Sequence, residues 1–156
     1  MINKKSLLYI VLFVVFYVTL MFSWYEGSEV RANIFEWGYS TPFTNAMNNS
    51  VNYSNYPSEI SNLDHFVYAA KFKPLFPLIM FISIFLIISI YLWNQVNIYK
   101  LAAIMGFGVI LLLLSVFNFS PSTIGGKYFS YTFVILGLIN IAYPIFILVR
   151  KKNIES

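Results

Sequence analysis

Glu26, Glu29 and Glu36 follow one long apolar run, and Asp64 and His65 precede the next. Brought together, these carboxylates and the imidazole could bind a divalent cation or pass protons at a surface. The spacing does not favour that chemistry. No His-Glu-x-x-His or comparable ligand pattern occurs, and His65 is the sole histidine. The plainer reading is a solvated acidic loop with one surface histidine. Glu26 stands apart, because it abuts the apolar run directly and a carboxylate there needs a partner. Gly125, Gly126 and Lys127 could cradle an anion, but without the rest of a phosphate-binding pattern they read as a turn. Cysteine is absent, which removes disulfides, thiolate metal sites and cysteine nucleophiles together. The sequence therefore predicts no catalytic residue, no metal site and no cofactor.

The elements that must position these residues are set by where charge is missing. The 156 residues are 59% hydrophobic and carry ten Lys or Arg and six Asp or Glu. They leave four charge-free gaps: Ser6 to Tyr25, Pro74 to Tyr99, Leu101 to Gly126 and Tyr128 to Val149. Each holds an apolar run of at least about 18 residues, enough to cross a bilayer as a helix. The predicted fold is an all-α membrane protein: a four-transmembrane-helix bundle with one long extracytoplasmic loop. It forms a single membrane domain over 1–156, with spans near 6–24, 75–93, 101–119 and 128–149 and the loop over 25–73. The short links make spans two and three, and three and four, antiparallel neighbours. The first run ends in Met21-Phe22-Ser23-Trp24 rather than a small-x-small cleavage site, so it reads as an uncleaved anchor.

Charge sets the threading. With the N-terminus inside, Lys4, Lys5, Lys100, Arg150, Lys151 and Lys152 face the cytoplasm, and Arg31, Lys71, Lys73 and Lys127 lie outside. The expected location is a bacterial plasma membrane, multi-pass, with both termini cytoplasmic. The net charge of +4 sits in clusters beside membrane ends, with no stripe that could track phosphates, so the partner is the lipid bilayer and not nucleic acid. No ionisable residue lies in any span, so the marks of a proton relay or ion pathway are missing. Asn140, near the middle of span four, is expected to hydrogen-bond across the bundle, and Pro144 follows it one turn on. Ala102, Gly106 and Gly108 give span three a small-residue face for close packing. Ser83, Ser89, Ser115 and Thr132 are mild enough to bond their own helices. Asn48-Asn49-Ser50, Asn52-Tyr53-Ser54 and Asn118-Phe119-Ser120 fit the glycosylation sequon, which matters only in a eukaryotic secretory pathway.

The loop has internal order of its own. Asn48 to Tyr56 is Asn/Ser/Tyr-rich and reads as irregular. Ser61 then lies three residues before Asp64, as in a capping box, and Leu63, Phe66, Val67 and Ala70 follow at helical spacing. The spacing predicts an amphipathic helix over about 61–73, its apolar stripe in the outer interface, Phe72 near lipid and Lys71 and Lys73 reaching headgroups. It brings Trp24 to Glu29 close to Asp64 to Lys73, pairs Glu26 with Lys71 or Lys73, and leaves an outer surface containing Trp37 and Tyr39.

Three stretches carry a resemblance: Ser23-Trp24-Tyr25-Glu26-Gly27-Ser28-Glu29, Glu36-Trp37-Gly38-Tyr39-Ser40-Thr41-Pro42-Phe43, and Asp64-His65-Phe66-Val67-Tyr68-Ala69-Ala70-Lys71-Phe72-Lys73-Pro74. Together they resemble the YjdJ-like family of small membrane proteins from Bacillus-type bacteria, domain of unknown function 4306. The resemblance covers roughly the first half of the chain. It implies a bacterial plasma-membrane protein and brings no activity or catalytic residues with it. The architecture is also similar to claudin-type tetraspans, without their paired cysteines, which is a likeness of topology alone. The expected function is that of a non-enzymatic membrane protein whose outer loop contacts an envelope or membrane protein partner or a second copy. The alternatives are a channel or transporter accessory subunit, and an outer-surface enzyme built on Glu26, Glu36, Asp64 and His65.

Overall fold

The computed structural model describes residues 3–47, 60–93, 97–117 and 122–155. The irregular stretch 48–56, the three sequons and the link residues 94–96 and 118–121 lie outside the described residues. Among the described residues there is no strand. The helices are α1 (Lys4–Gly27), α2 (Trp37–Ser40), α3 (Pro42–Met47), α4 (Asn62–Phe72), α5 (Leu75–Trp93), α6 (Ile98–Phe117) and α7 (Ile124–Glu155), with two 3-10 turns, Ser28–Ala32 and Ile34–Glu36, after α1. Four helical stretches are long and apolar enough to cross a membrane: Lys4–Ala32, Leu75–Trp93, Ile98–Val116 and Ile124–Arg150. The chain packs as two compact units, residues 1–84 with 123–125 and residues 85–122 with 126–156.

In the first unit, α1 starts at Asn3, whose side chain accepts from the Lys5 amide at 3.3 Å. An unbroken apolar sequence then carries the helix to Gly27, where the chain tightens into the 3-10 turn. Most of α1 is exposed in the chain itself, as suits a lipid-facing helix. Its buried residues Thr19, Ser23 and Gly27 recur every fourth position and so share one stripe. The two hydroxyls donate back to Val15 and Thr19 carbonyls, which satisfies them without help from water. Phe22 stacks on Phe76 of α5 with centroids 4.8 Å apart.

Helix α4 is capped by the Ser61 side chain, which accepts from Leu63 N at 3.3 Å. It lies against the end of α1 at Gly27 and against the start of α7 at Gly125, and the two glycines permit these close approaches. A Cβ at Gly27 would overlap the His65 backbone carbonyl, and one at Gly125 would overlap the Ala70 carbonyl. The buried residues of α4 are Asp64, His65, Tyr68 and Ala69. The expected apolar stripe is a different face: Leu63 is 48% exposed, and Phe66, Val67 and Ala70 are half-buried. Around this docking, Val30, Trp37, Ile60 and Tyr68 form a small apolar core. Each fully buried side chain of this kind contributes about 1.5–3 kcal/mol.

In the second unit, Phe85 stacks on Phe107, and the Lys100 ammonium lies over the Tyr91 ring at 5.3 Å, so α5 and α6 run antiparallel. Ser130 Oγ donates to the Ser115 carbonyl at 3.0 Å, and Gly108 meets the Gly137 backbone further along, so α6 and α7 are antiparallel as well. Gly106 is not part of this seam. It faces open space, because two residues along a helix is more than half a turn away from Gly108. Asn140 is fully buried, yet it donates to its own Leu136 carbonyl at 3.2 Å rather than across the helices. That carbonyl, one turn back, has a second lone pair to offer. Ser115 and Thr132 also bond their own helices, as Ser83 does in the first unit, whereas the buried Ser89 hydroxyl has no partner among the described residues.

The glycine contact yields a direct test. Gly27→Ala forces backbone apart and should cost about 1–3 kcal/mol in detergent-solubilised unfolding. Gly38→Ala, which meets nothing within 4 Å, should stay within about 0.5 kcal/mol of the parent. Equal effects would place the close approach elsewhere.

Candidate functional site

Asp64 and His65 are buried on α4 where it docks on the end of α1, and their geometry gives them structural work. Asp64 is fully buried. Its carboxylate accepts from Phe43 N at 2.9 Å, Thr44 N at 2.8 Å and Thr44 Oγ1 at 2.5 Å. These amides belong to the first turn of α3, where helical N–H groups have no partner of their own, so the carboxylate caps that helix from 20 residues away. Thr44 Oγ1 in turn accepts from Ser61 N at 2.8 Å, which ties the entrance of α4 to the same node.

Trp37 is buried, not part of an outer surface. Its indole N–H donates to the Val30 carbonyl at 2.8 Å. A half-apolar ring with one donor is held wherever an acceptor lies inside the core, and the 3-10 turn supplies one. The α2 carbonyl of Trp37 accepts from the Thr41 hydroxyl, and Glu36 accepts from Ser40 Oγ at 2.7 Å. Lys71 donates to the Tyr39 carbonyl and to Ser40 Oγ, the latter at 3.2 Å, so it locks α2 against α4. Lys73 pairs with Glu29 and not with Glu26. The Glu29 hydrogen bond holds Lys73 above its ordinary lysine range, and Glu26 acts on it only as a nearby charge. Two residues beyond Gly27, in the 3-10 turn, Glu29 has the reach that Glu26, still on α1, lacks.

His65 is buried as well, at 1% exposure, where a surface histidine was expected. Trp24 stacks on it with centroids 6.2 Å apart and planes at 28°. Neither ring nitrogen has a hydrogen-bond partner among the described residues. Burial pushes its pKa down, Arg31 adds to that, and Asp64 opposes it. Among the described residues, no three of His, Asp and Glu come together as a ligand set.

Beside this frame lies an open groove of about 430 Å³, lined by Glu29, Ala32, Asn33, Ile34, Phe35 and Tyr68. Two of these lining residues are joined, Asn33 Nδ2 donating to Tyr68 Oη at 3.4 Å. Ile34, Phe35 and Tyr39 stand out of the core at 66%, 90% and 79% exposure. Sequence reasoning named Tyr39 and missed Ile34 and Phe35. Their signal was two adjacent apolar residues inside a polar loop, which becomes legible only once Trp37 is known to turn inward.

Residues 6–95, more than half of the chain, match the family described as a domain of unknown function, DUF4306. The chain belongs to the DUF4306 family. The matched region holds α5, almost all of α1, and the whole frame between them; α6 and α7 lie beyond it. Uncharacterized protein YjdJ of Bacillus subtilis (strain 168) is 33% identical over 67 residues, which is 43% of this chain and 61% of that relative, short of two thirds of its length. No solved structure matches this DUF4306 protein.

Asp64→Ala should leave two amides and a hydroxyl buried without an acceptor and cost about 2–4 kcal/mol in unfolding experiments, with proteolysis entering at 37–47. Thr44→Val removes one hydroxyl and should cost about 1 kcal/mol. A loss below about 0.5 kcal/mol for Asp64→Ala would mean that α3 is not held by this carboxylate.

Proposed function

We propose that this is a non-enzymatic plasma-membrane protein whose segment 28–73 faces away from the cytoplasm and docks a membrane or envelope protein partner. The observation that carries this reading is the contrast between the frame and its ledge. Asp64, Lys71, Lys73, Glu36 and Trp37 spend their polar groups inside the frame. Ile34, Phe35 and Tyr39 are nevertheless left out of the core, and Ile34 and Phe35 line an open groove together with Glu29, Ala32, Asn33 and Tyr68. Apolar side chains held out on an ordered backbone are what a partner surface requires, because little ordering entropy remains to be lost on binding. A pre-formed ledge also favours a protein partner over a catalytic role for Asp64, whose oxygens are already committed to α3.

A photoreactive phenylalanine analogue at position 35 should give one discrete protein adduct in native membranes. Ile34→Asp with Tyr39→Asp should abolish that adduct, while the same analogue at Tyr25, on α1, should not yield it. An adduct of twice the chain's mass identifies the partner as a second copy. Labelling of lipid alone would overturn the protein-docking reading. The threading is tested separately: a reporter that fluoresces only in the cytoplasm should be bright when fused at Ser156, and a dark, inserted fusion would reverse it.

A further inference from the structure

The sole histidine occupies the tightest point of the frame. Its backbone carbonyl rests on Gly27, its ring stacks on Trp24, and both ring nitrogens are buried without partners among the described residues. A buried neutral imidazole with no hydrogen bond already lacks the compensation that interior polar groups normally have. A protonated one would carry a charge and two donors into a site with no acceptor in place, a state that proteins avoid by rearranging.

The surrounding charges do not relieve this. Asp64, the neighbour on the same helix, is a counter-charge that acts on the ring, but its oxygens already accept from Phe43 and Thr44. The 3-10 turn after α1 presents Arg31, which opposes a second positive charge. Helix α1 presents Trp24 and the bare backbone of Gly27 to His65. Glu26 and Glu29, the acidic groups at this end of α1 and its turn, act on Lys73. Glu36 is bonded to Ser40, and α2 and α3 carry no charged residue.

We infer that His65 is a proton-operated release: its protonation drives α4 off the end of α1 and loosens the frame that α4 supports. Because Asp64 and Lys71 ride on α4, the same movement withdraws the cap from α3 and the anchor from Tyr39. Acid would then dissolve the ledge, a consequence that rests on reading the ledge as a docking surface; the release itself does not. The sign follows from linkage. The docked state binds the proton more weakly than an exposed histidine does, so docking is favoured at neutral pH and weakens as pH falls below about 6.5. Between the ring's exposed and docked values, the open-to-docked ratio rises about tenfold per pH unit.

Spin labels at Tyr25 and Leu63, both on exposed positions, in the full chain reconstituted in lipid nanodiscs read the movement directly. At pH 7.5 one narrow distance distribution is expected. At pH 5.0 a second, longer population, absent at pH 7.5, should appear and grow as the ring protonates. His65→Phe preserves the aromatic contact with Trp24 and removes the proton, so it should stay narrow at both values. Widening that persists in His65→Phe would assign the acid effect to carboxylates and overturn the proposal. Should that variant fail to insert, ring-labelled His65 in the parent decides. Protonation in step with widening supports the release. Protonation with an unchanged distance, or widening with a neutral ring, overturns it. A release that occurs while the position-35 adduct is unaffected by acid would refute only the docking role of the ledge.

Discussion

The first unit depends on how closely one backbone can approach another at Gly27. With no Cβ there, the His65 carbonyl settles directly on the end of α1, and the rest of the frame takes its place from that contact. Trp24 is brought over the imidazole, and Glu29 comes within reach of Lys73. The face of α4 that carries Asp64 is turned toward α3. Phe43 and Thr44 can then close their backbone amides on the Asp64 carboxylate. Burial of a carboxylate is affordable only because three donors converge on it.

The second unit obeys a different constraint. Its helices have little polar chemistry to spend, and several of their side chains satisfy it locally. Ser115 and Asn140 donate to carbonyls one turn back on their own helices. Contact between α6 and α7 comes instead from small residues, with Gly108 and Gly137 meeting backbone to backbone and one hydroxyl bridging Ser130 to Ser115. This suits an apolar surrounding, where packing rather than hydrophobic transfer holds helices together. Trp93 and Tyr143 stack 4.6 Å apart further along, adding an aromatic contact between α5 and α7.

Much of this was legible in the sequence. Charge-free gaps give the four long helices to within a few residues, because length and apolar composition are local properties. Ser61 before Leu63 and Asp64 gives the start of α4 for the same reason. The face that α4 buries was not legible. Hydropathy points to Leu63, Phe66, Val67 and Ala70, whereas the helix docks through Asp64, His65, Tyr68 and Ala69. That choice is made by α3, whose first-turn amides need an acceptor, and by the gap at Gly27, and neither is visible at helical spacing. The same non-local logic turns Trp37 inward, pairs Lys73 with Glu29 instead of Glu26, and leaves Gly106 outside the seam that Gly108 forms.

Beyond the end of α1, Glu29, Glu36, Asp64, Lys71 and Lys73 spend their charges on holding an ordered frame. The central claim is that α4 and the segment over α2 and α3 form one cooperative structure held by the Asp64 node. Amide hydrogen exchange in reconstituted lipid tests it most directly. The account predicts that residues 37–47 and 62–72 exchange slowly and at matching rates, opening together. Exchange of 37–47 at open-chain rates beside a protected α4 would contradict it.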